Sequence, residues 1–151
     1  MKKLFKTTLF AASSLFLLTA CSDDDAVLDT TKPTITLAKP SDHQAFEFGD
    51  VIELQAILND DTELGSYKID IHSAGDGHQH RSAQATTAEG WSYSDIADIS
   101  GKKEHLLNKS IPIPTGEYAE GHYHLGLIVV DKAGNESQTF IEIVIGEDHH
   151  H

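Results

Sequence analysis

The sequence predicts an all-β fold, an immunoglobulin-like β-sandwich of about seven antiparallel strands. From Thr34 onward, short runs of alternating apolar and polar residues are separated by turn residues about every 8 to 12 positions. No stretch repeats its apolar residues with the period of a helix. The chain has a single cysteine, so no internal disulfide can form and the fold must be held by its own core.

The strands are expected where these alternating runs occur. Their expected bounds are Thr34 to Ala38, Val51 to Leu58, Ser66 to Ser73, Ala83 to Thr87, Asn108 to Ile113, His122 to Val130 and Gln138 to Ile145. Residues 33–146 then make up the sandwich, since about 130 residues after Cys21 are enough for one domain and too few for two.

The last two strands give the clearest hairpin. In the first of them, four apolar residues alternate on one face: Tyr123, Leu125, Leu127 and Val129. The run Asp131-Lys132-Ala133-Gly134-Asn135 supplies the turn, because Asp, Asn and Gly favour local hydrogen bonds and positive φ. The segment from Gly121 to Asn135 resembles the final hairpin of bacterial immunoglobulin-like and cadherin-like repeats, in which it is scaffold. We therefore expect no function from the hairpin itself.

Residues 1–20 have the layout of a signal peptide. Met1 to Lys6 include three lysines, and Thr7 to Ala20 form an uncharged, largely apolar run that is too short to span a bilayer. The run ends in Leu18-Thr19-Ala20-Cys21, which matches the bacterial lipobox. Cys21 is therefore the predicted site of lipidation, with acyl chains of the palmitate type, and the first residue of the mature chain. The alternative is that Cys21 is an ordinary free thiol.

Residues 21–32 are expected to form the lipidated N-terminus and a solvated, flexible tether. The run Ser22-Asp23-Asp24-Asp25 resembles the export signal that Bacteroidetes-type lipoproteins use to reach the outer face of the outer membrane. A plain linker that keeps the domain off the lipid explains the run equally well. The predicted location is the cell outer membrane, with lipid anchoring and surface exposure, although the leaflet stays open.

The charge of the chain excludes two classes of partner. Cleavage before Cys21 removes Lys2, Lys3 and Lys6 and takes the formal net charge from −13 to −16. Nucleic acids and anionic lipid surfaces both require basic patches. The membrane contact is therefore expected to run through the lipid anchor alone.

Several segments resemble a family of short Bacteroidetes lipoproteins, defined as a domain of unknown function with an immunoglobulin-like fold. They are the lipobox, Lys32-Pro33-Thr34-Ile35, the segment from His72 to His80, and Gly121-His122-Tyr123-His124. The resemblance covers about Pro33 to Gly146. It implies a fold and a location, and it implies no activity.

The histidines carry the predicted chemistry. If Tyr123 and Leu125 point into the core, His122 and His124 both point outward, because alternate residues of a strand share a face. By the same argument His72 and Asp70 point outward from the third predicted strand. In an immunoglobulin-like sandwich the third and sixth strands are antiparallel neighbours, so His72 should lie beside His122 and His124.

The loop after His72 adds more candidate ligands. Two glycines in the loop that ends in His78-Gln79-His80 let it fold back over the sheet, which brings His78, His80 and Asp76 towards the cluster. Neutral imidazoles without thiolates suit Zn²⁺, Cu²⁺ or Ni²⁺, and the predicted cofactor is Zn²⁺ or Cu²⁺. The predicted ligands are His72, His78, His80, His122 and His124, with Asp70 and Asp76 in support. The alternative is a solvated or pH-responsive histidine patch.

The remaining cation candidates rank lower. His43, in a turn, and His105, expected in the opposite sheet, are both interpreted as surface residues. The acidic run from Asn59 to Glu63 offers the oxygen ligands that calcium prefers, but an ordinary polar turn explains it better. Residues 147–151 end in His149-His150-His151, either a native chelating tail or a purification tag, and are expected to be disordered.

The sequence therefore predicts a surface-anchored lipoprotein that binds zinc or copper for capture, buffering or transfer. A metal transporter or another outer-membrane protein is the candidate partner. The alternative is a non-catalytic adhesion or accessory module that binds a protein or glycan, with Trp91 and Tyr93 as clustered aromatics, one of them in the core. Catalysis is not expected, because no Gly-x-Ser-x-Gly elbow, His-Glu-x-x-His helix or nucleophilic cysteine is present.

Overall fold

The computed structural model describes residues 28–76 and 88–146. The signal peptide, Cys21, the expected strand Ala83 to Thr87 and the C-terminal histidines lie outside these residues. The described strands are β1 (Thr34–Lys39), β2 (Gln44–Phe46), β3 (Val51–Asn59), β4 (Leu64–Ser73), β5 (Ser92–Asp98), β6 (Glu104–Pro112), β7 (Gly121–Asp131) and β8 (Glu136–Ile145). A short 3₁₀ helix, Ala74–Asp76, follows β4. In the described part of the chain, no helix has the length and apolar character needed to cross a membrane.

The strands form two sheets that pack face to face. One sheet has the order β1-β3-β6 and the other has the order β2-β8-β7-β4-β5. All neighbouring strands are antiparallel except β2 and β8, which are parallel. The prediction of an all-β immunoglobulin-like sandwich is confirmed, including the pairing of the third and sixth predicted strands, now β4 and β7.

The alternating sequence pattern builds the core. The inward-facing residues of the two sheets meet between them, and burying each large aliphatic side chain contributes about 1.5 to 3 kcal/mol. The largest fully buried side chains are Tyr123, Ile52, Leu54, Leu58, Leu64, Ile69, Ile71, Ile111, Leu125, Leu127, Ile143 and Ile145. Because these positions alternate along β3, β4 and β7, the residues between them face outward.

Tyr123 fixes the start of β7. Its buried hydroxyl donates to the carbonyl oxygen of Ala119 at 2.5 Å and accepts from the backbone N–H of Trp91 at 3.2 Å. The hydroxyl therefore ties the strand back to the chain just before it, as the tyrosine corner of immunoglobulin-like domains does. Trp91 packs beside the Tyr123 ring and is buried, whereas Tyr93 is partly buried against the core. One of the two clustered aromatics is thus a core residue, as expected.

Two strands differ from the sequence prediction. β5 was not expected as a separate strand, because its sequence does not follow the usual alternation: Asp95 is at a half-buried position and Ile96 is 69% exposed. β2 is three residues long and pairs in parallel with the end of β8. A pairing this short leaves no periodic pattern in the sequence.

Candidate metal centre

The strand register brings three of the predicted histidines, His72, His122 and His124, onto one face of the five-stranded sheet. His72 of β4 is directly opposite His124 of β7, and His124 is directly opposite Glu142 of β8. Tyr123 and Leu125 are fully buried, whereas His122 is exposed and His124 is half-buried. The expected strand faces are confirmed. The residues around His124 form what we call the histidine face: His43, His72, His122, His124 and Glu142.

His72 and His124 form a cross-strand pair. Their ring centroids lie 5.4 Å apart and the ring planes meet at 84°. Directly opposed residues in antiparallel strands have Cβ atoms about 4.5 to 5.5 Å apart, so their side chains meet without any loop contribution. Both imidazoles can therefore approach the same ion from adjacent strands.

Asp70, predicted to support the metal site, contacts His72. Oδ2 of Asp70 lies 3.1 Å from Nδ1 of His72, and Oδ1 lies 2.9 Å from Nζ of Lys68. The hydrogen bond from Lys68, with a further contribution from His72, lowers the pKa of the Asp70 carboxyl against the opposing effect of partial burial. An ionised Asp70 favours the tautomer of His72 that carries its proton on Nδ1, which leaves Nε2 as a donor atom for a metal.

The second histidine group contains two residues that the sequence prediction left out. Nδ1 of His122 lies 2.7 Å from Oε1 of Glu142, and Nδ1 of His43 lies 3.0 Å from the same oxygen. Donor atoms of these three residues all lie within 4.8 Å of one another. His43, His122 and Glu142 therefore form a ready group of two nitrogen donors and one oxygen donor.

Backbone hydrogen bonds hold His43 beside β8. Its N–H donates to the carbonyl oxygen of Glu142 at 2.7 Å, and the N–H of Glu142 donates to Oδ1 of Asp42 at 2.9 Å. His43 has a φ of 58°, a left-handed turn conformation that is uncommon for non-glycine residues but enriched in Asn, Asp and His. The turn is thus fixed against the strand, while the His43 side chain remains 64% exposed.

His43 was interpreted as a surface residue in a turn and was not among the predicted ligands. Its side chain is exposed, but it contacts Glu142. The missing information was the parallel pairing of β2 with β8, which carries the turn before β2 to this end of the sheet. Glu142 could have been found from the sequence, because it lies between the inward-facing Ile141 and Ile143 and must therefore point outward.

The other predicted ligands lie beyond what the structure describes. His78 and His80 fall outside residues 28–76 and 88–146, and only the backbone of Asp76 is described. The 3₁₀ helix follows β4 directly, so the loop leaves the sheet next to His72. The contribution of His78, His80 and Asp76 stays a prediction.

The geometry of the described group suits a small divalent ion with an open coordination position. Zinc binds imidazole nitrogen and carboxylate oxygen at about 2.0 to 2.2 Å, and tetrahedral ligands at that distance lie roughly 3.3 Å from each other. The contacts of 2.7 and 3.0 Å to Glu142 need to open only slightly to reach that spacing. His122 is 46% exposed, so its side chain is free to adjust.

His105 lies in the opposite sheet, on β6, as expected. The interpretation of His105 as a surface residue is wrong, because it is half-buried in phase with the buried Leu107, and its ring stacks on Tyr67 with centroids 6.0 Å apart. Burial, and next the nearby Lys102 charge, lower the pKa of His105. It is a partly buried residue of the other sheet and provides a natural control for the histidine face.

The sequence model of a protein family described as a domain of unknown function, DUF4625, matches residues 19–146. The chain belongs to this family. No curated protein sequence matches it. Among solved structures, it is similar to a chain from the fibronectin(III)-like modules of Clostridium thermocellum CbhA, with 17% identity and a TM-score of 0.42. The similarity covers 80% of this DUF4625 chain and 52% of that one, so this chain matches about half the length of the neighbour.

Proposed function

We propose that this protein is a membrane-anchored lipoprotein that binds zinc or copper on its histidine face, for capture, buffering or transfer. The observation that carries the proposal is the convergence of His43, His122 and Glu142, whose donor atoms lie within 4.8 Å of one another. The His72–His124 pair adjoins this group through the direct pairing of His124 with Glu142.

The exposure of the site supports an exchangeable ion. Structural zinc sites are closed by four protein ligands, whereas sites that exchange water or substrate keep a coordination position open. The described group supplies three donors from residues that are exposed or half-buried. Metal can therefore enter and leave from solvent without opening the sandwich, and the buried core does not depend on it for folding.

The N-terminal sequence supports attachment to a membrane. The lipobox that ends in Cys21 precedes the sandwich by a tether of about a dozen residues, and several acyl chains hold a protein at a membrane essentially permanently. The mature formal charge of −16, reached from −13 by loss of Lys2, Lys3 and Lys6, attracts cations to the domain. Cys21 would therefore keep a metal-binding face at the cell surface.

Titration calorimetry tests the metal-binding part of the proposal. The protein should carry alanine at His149, His150 and His151, so that the tail cannot chelate, and should be treated with EDTA before titration with Zn²⁺ or Cu²⁺. We expect saturable binding at micromolar affinity or tighter, weakened at least tenfold when His43 and His122 are both replaced by alanine. His105→Ala is the matched control and should bind as the parent does. Absence of saturable heat with both ions would sink the proposal.

An exposed aromatic residue beside the histidine face supports a second candidate function, an adhesion or accessory module that binds a protein or glycan. Phe140 is 54% exposed and lies over Gly126 on the outer face of the β7–β8 pair. The expected aromatics, Trp91 and Tyr93, pack against the core instead. An adhesion or accessory module would retain its protein or glycan partner in the presence of a chelator, whereas a metal-dependent partner, such as a transporter, would be released.

A further inference from the structure

Three aspartates from separate parts of the chain meet at one end of the sandwich. Asp29 lies in the segment before β1, Asp60 follows β3, and Asp131 ends β7. One carboxylate oxygen from each residue lies within 4.8 Å of the other two. Asp60 is 8% exposed and Asp131 is 4% exposed, and Asp29 is half-buried. The three carboxylates thus share a small space that is largely closed to water.

The Asp60 side chain is only half satisfied. Its Oδ1 accepts hydrogen bonds from the backbone N–H groups of Thr62 at 2.9 Å and Glu63 at 2.7 Å. Its Oδ2 is buried and has no hydrogen-bond partner among the residues that the structure describes. A buried carboxylate oxygen without a partner is costly in free energy. Oδ2 is therefore the oxygen that Asp60 can offer to an ion.

Asn135 holds Asp131 in place and also reaches Asp29. Its backbone N–H donates to Oδ1 of Asp131 at 2.7 Å, and its side-chain Nδ2 donates to Oδ2 at 2.6 Å. The same Nδ2 donates to the carbonyl oxygen of Asp29 at 3.1 Å. Burial raises the pKa of the Asp131 carboxyl, but hydrogen bonds from Asn135 and from the backbone of Gly134 and Ala133 together lower it. Asp131 is thus a carboxylate that Asn135 holds in a fixed orientation.

No protein cation neutralises this cluster within residues 28–76 and 88–146. All ion pairs in that part of the chain involve other carboxylates. Asp29, Asp60 and Asp131 therefore have no Lys, Arg or His nitrogen of the described residues within 4.0 Å. Lys103 reaches the residue next to Asp60, but its Nζ donates to the backbone carbonyl oxygen of Asp61. Neighbouring negative charges repel strongly where water is excluded, and a divalent cation removes that repulsion.

We propose that Asp29, Asp60 and Asp131 bind a calcium ion. The donors are all oxygen atoms, which hard cations prefer, and the group contains none of the imidazoles that favour zinc or copper. Calcium takes 6 to 8 oxygen ligands in flexible geometry, so backbone carbonyls and water complete the shell around three carboxylates. The site is independent of the histidine face, because His122 and Asp131 lie at opposite ends of β7, roughly 30 Å apart along the strand.

Calcium binding would fasten the segment before β1 to the sandwich. Asp60 and Asp131 belong to the β3–β4 and β7–β8 turns, whereas Asp29 belongs to the chain that leads into the domain. An ion shared by all three fixes the direction in which that chain leaves the fold. The ion therefore holds Asp29, and with it residues 28–33, against this end of the sandwich.

Calcium titration of the purified, EDTA-treated protein tests the site. We expect one saturable site for CaCl₂ and a rise in Tm with millimolar CaCl₂, because a ligand that binds only the folded state stabilises it. Asp60→Asn keeps an oxygen that can accept from Thr62 and Glu63 but loses the charge, so calcium affinity should fall at least tenfold. Asp29→Asn, outside the strands, should weaken binding without disturbing the core. The exposed neighbour Asp61 is the control, and Asp61→Asn should bind calcium as the wild type does.

Three results would overturn the assignment. The first is no saturable calcium binding and no Tm shift in the wild-type protein. The second is unchanged calcium affinity in both Asp60→Asn and Asp29→Asn. The third is equal affinity for MgCl₂, since magnesium requires a smaller octahedral site. The His43→Ala, His122→Ala double variant should retain full calcium binding, which separates this site from the histidine face.

Discussion

His122 contacts Glu142 across the β7–β8 pair at 2.7 Å, although the residue directly opposite Glu142 is His124. The contact is therefore diagonal, and the side chains bridge the longer separation. This leaves His124 to face His72 on the other side, with ring centroids 5.4 Å apart. Glu142 thus contacts His122 and lies directly opposite His124, and the β7–β8 register accounts for both relationships.

Replacing Glu142 by glutamine should weaken metal binding without altering the fold. The amide keeps the shape of the side chain but removes the charge and reduces its strength as a metal ligand. We expect the Kd for Zn²⁺ to rise by about 10- to 100-fold, measured by calorimetry in protein that lacks the tail histidines. Glu53→Gln is the matched control, because Glu53 lies in the three-stranded sheet, away from the histidine face, and accepts a hydrogen bond from Ser110 of the same sheet. Equal Kd values for Glu142→Gln and Glu53→Gln would contradict the site.

Asn135→Ala should lower the free energy of unfolding in a pH-dependent way. Asn135 donates two hydrogen bonds to Asp131 within the protein, and removal of its side chain deletes the one from Nδ2. We expect a loss of about 1 to 3 kcal/mol at pH 7, measured by urea denaturation in EDTA.

The sign of the pH effect follows from the lowered pKa of Asp131. The ionised carboxylate stabilises the fold above the pKa of an unfolded aspartate, about 3.9, and that contribution is lost as the pH falls through the lower folded value. The stability difference between Asn135→Ala and the wild type should therefore shrink below about pH 4. If the difference in free energy of unfolding stays constant from pH 7 to below pH 4, the effect of Asn135 on stability does not come from its hydrogen bond to Asp131.

Gly65→Ala should destabilise the sandwich. A Cβ at Gly65 would lie 2.7 Å from the carbonyl oxygen of Asp131 and 2.9 Å from that of Val130, and backbone atoms cannot move aside as a side chain can. We expect a cost of about 1 to 3 kcal/mol in the free energy of unfolding. Gly75→Ala serves as the control, because its Cβ would make only an ordinary contact with Ser73 at 3.5 Å. Similar unfolding midpoints for the two variants would refute the close β4–β7 approach.

Tyr123→Phe should remove the hydrogen bonds that fix the start of β7. The variant loses the donor to Ala119 and the acceptor for Trp91, which leaves buried backbone groups unsatisfied. The expected cost is about 1 to 3 kcal/mol in chemical denaturation. Tyr118→Phe, a change at a half-buried ring beside Phe48, should cost less. If Tyr118→Phe lowers the free energy of unfolding more than Tyr123→Phe does, the Tyr123 hydroxyl does not anchor the strand.

The sequence was most informative where one residue in two faces the core. Alternation identified β3, β4 and β7 and assigned His72, His122 and His124 to the outer face, because a strand that buries one side must expose the other. The pairing of β4 with β7 followed from the fold class. These elements depend on local pattern and general topology, both of which a single sequence contains.

The residues that were missed depend on tertiary contacts. His43 reaches Glu142 only because β2 pairs in parallel with β8 over three residues. Asp60 was noticed within an acidic run, but its neighbours in space are Asp29 and Asp131, which are far away in the sequence. No periodicity encodes contacts between a turn, a strand end and the segment before β1.

A crystal structure of the zinc-loaded protein, with an anomalous difference map at the zinc edge, would show whether the histidine face binds zinc. The protein should carry alanine at His149, His150 and His151. We predict an ion within about 2.0 to 2.2 Å of ring nitrogens of His43 and His122 and of a carboxylate oxygen of Glu142. A map without an anomalous peak on the histidine face, at a zinc concentration that saturates the protein in solution, would contradict the account.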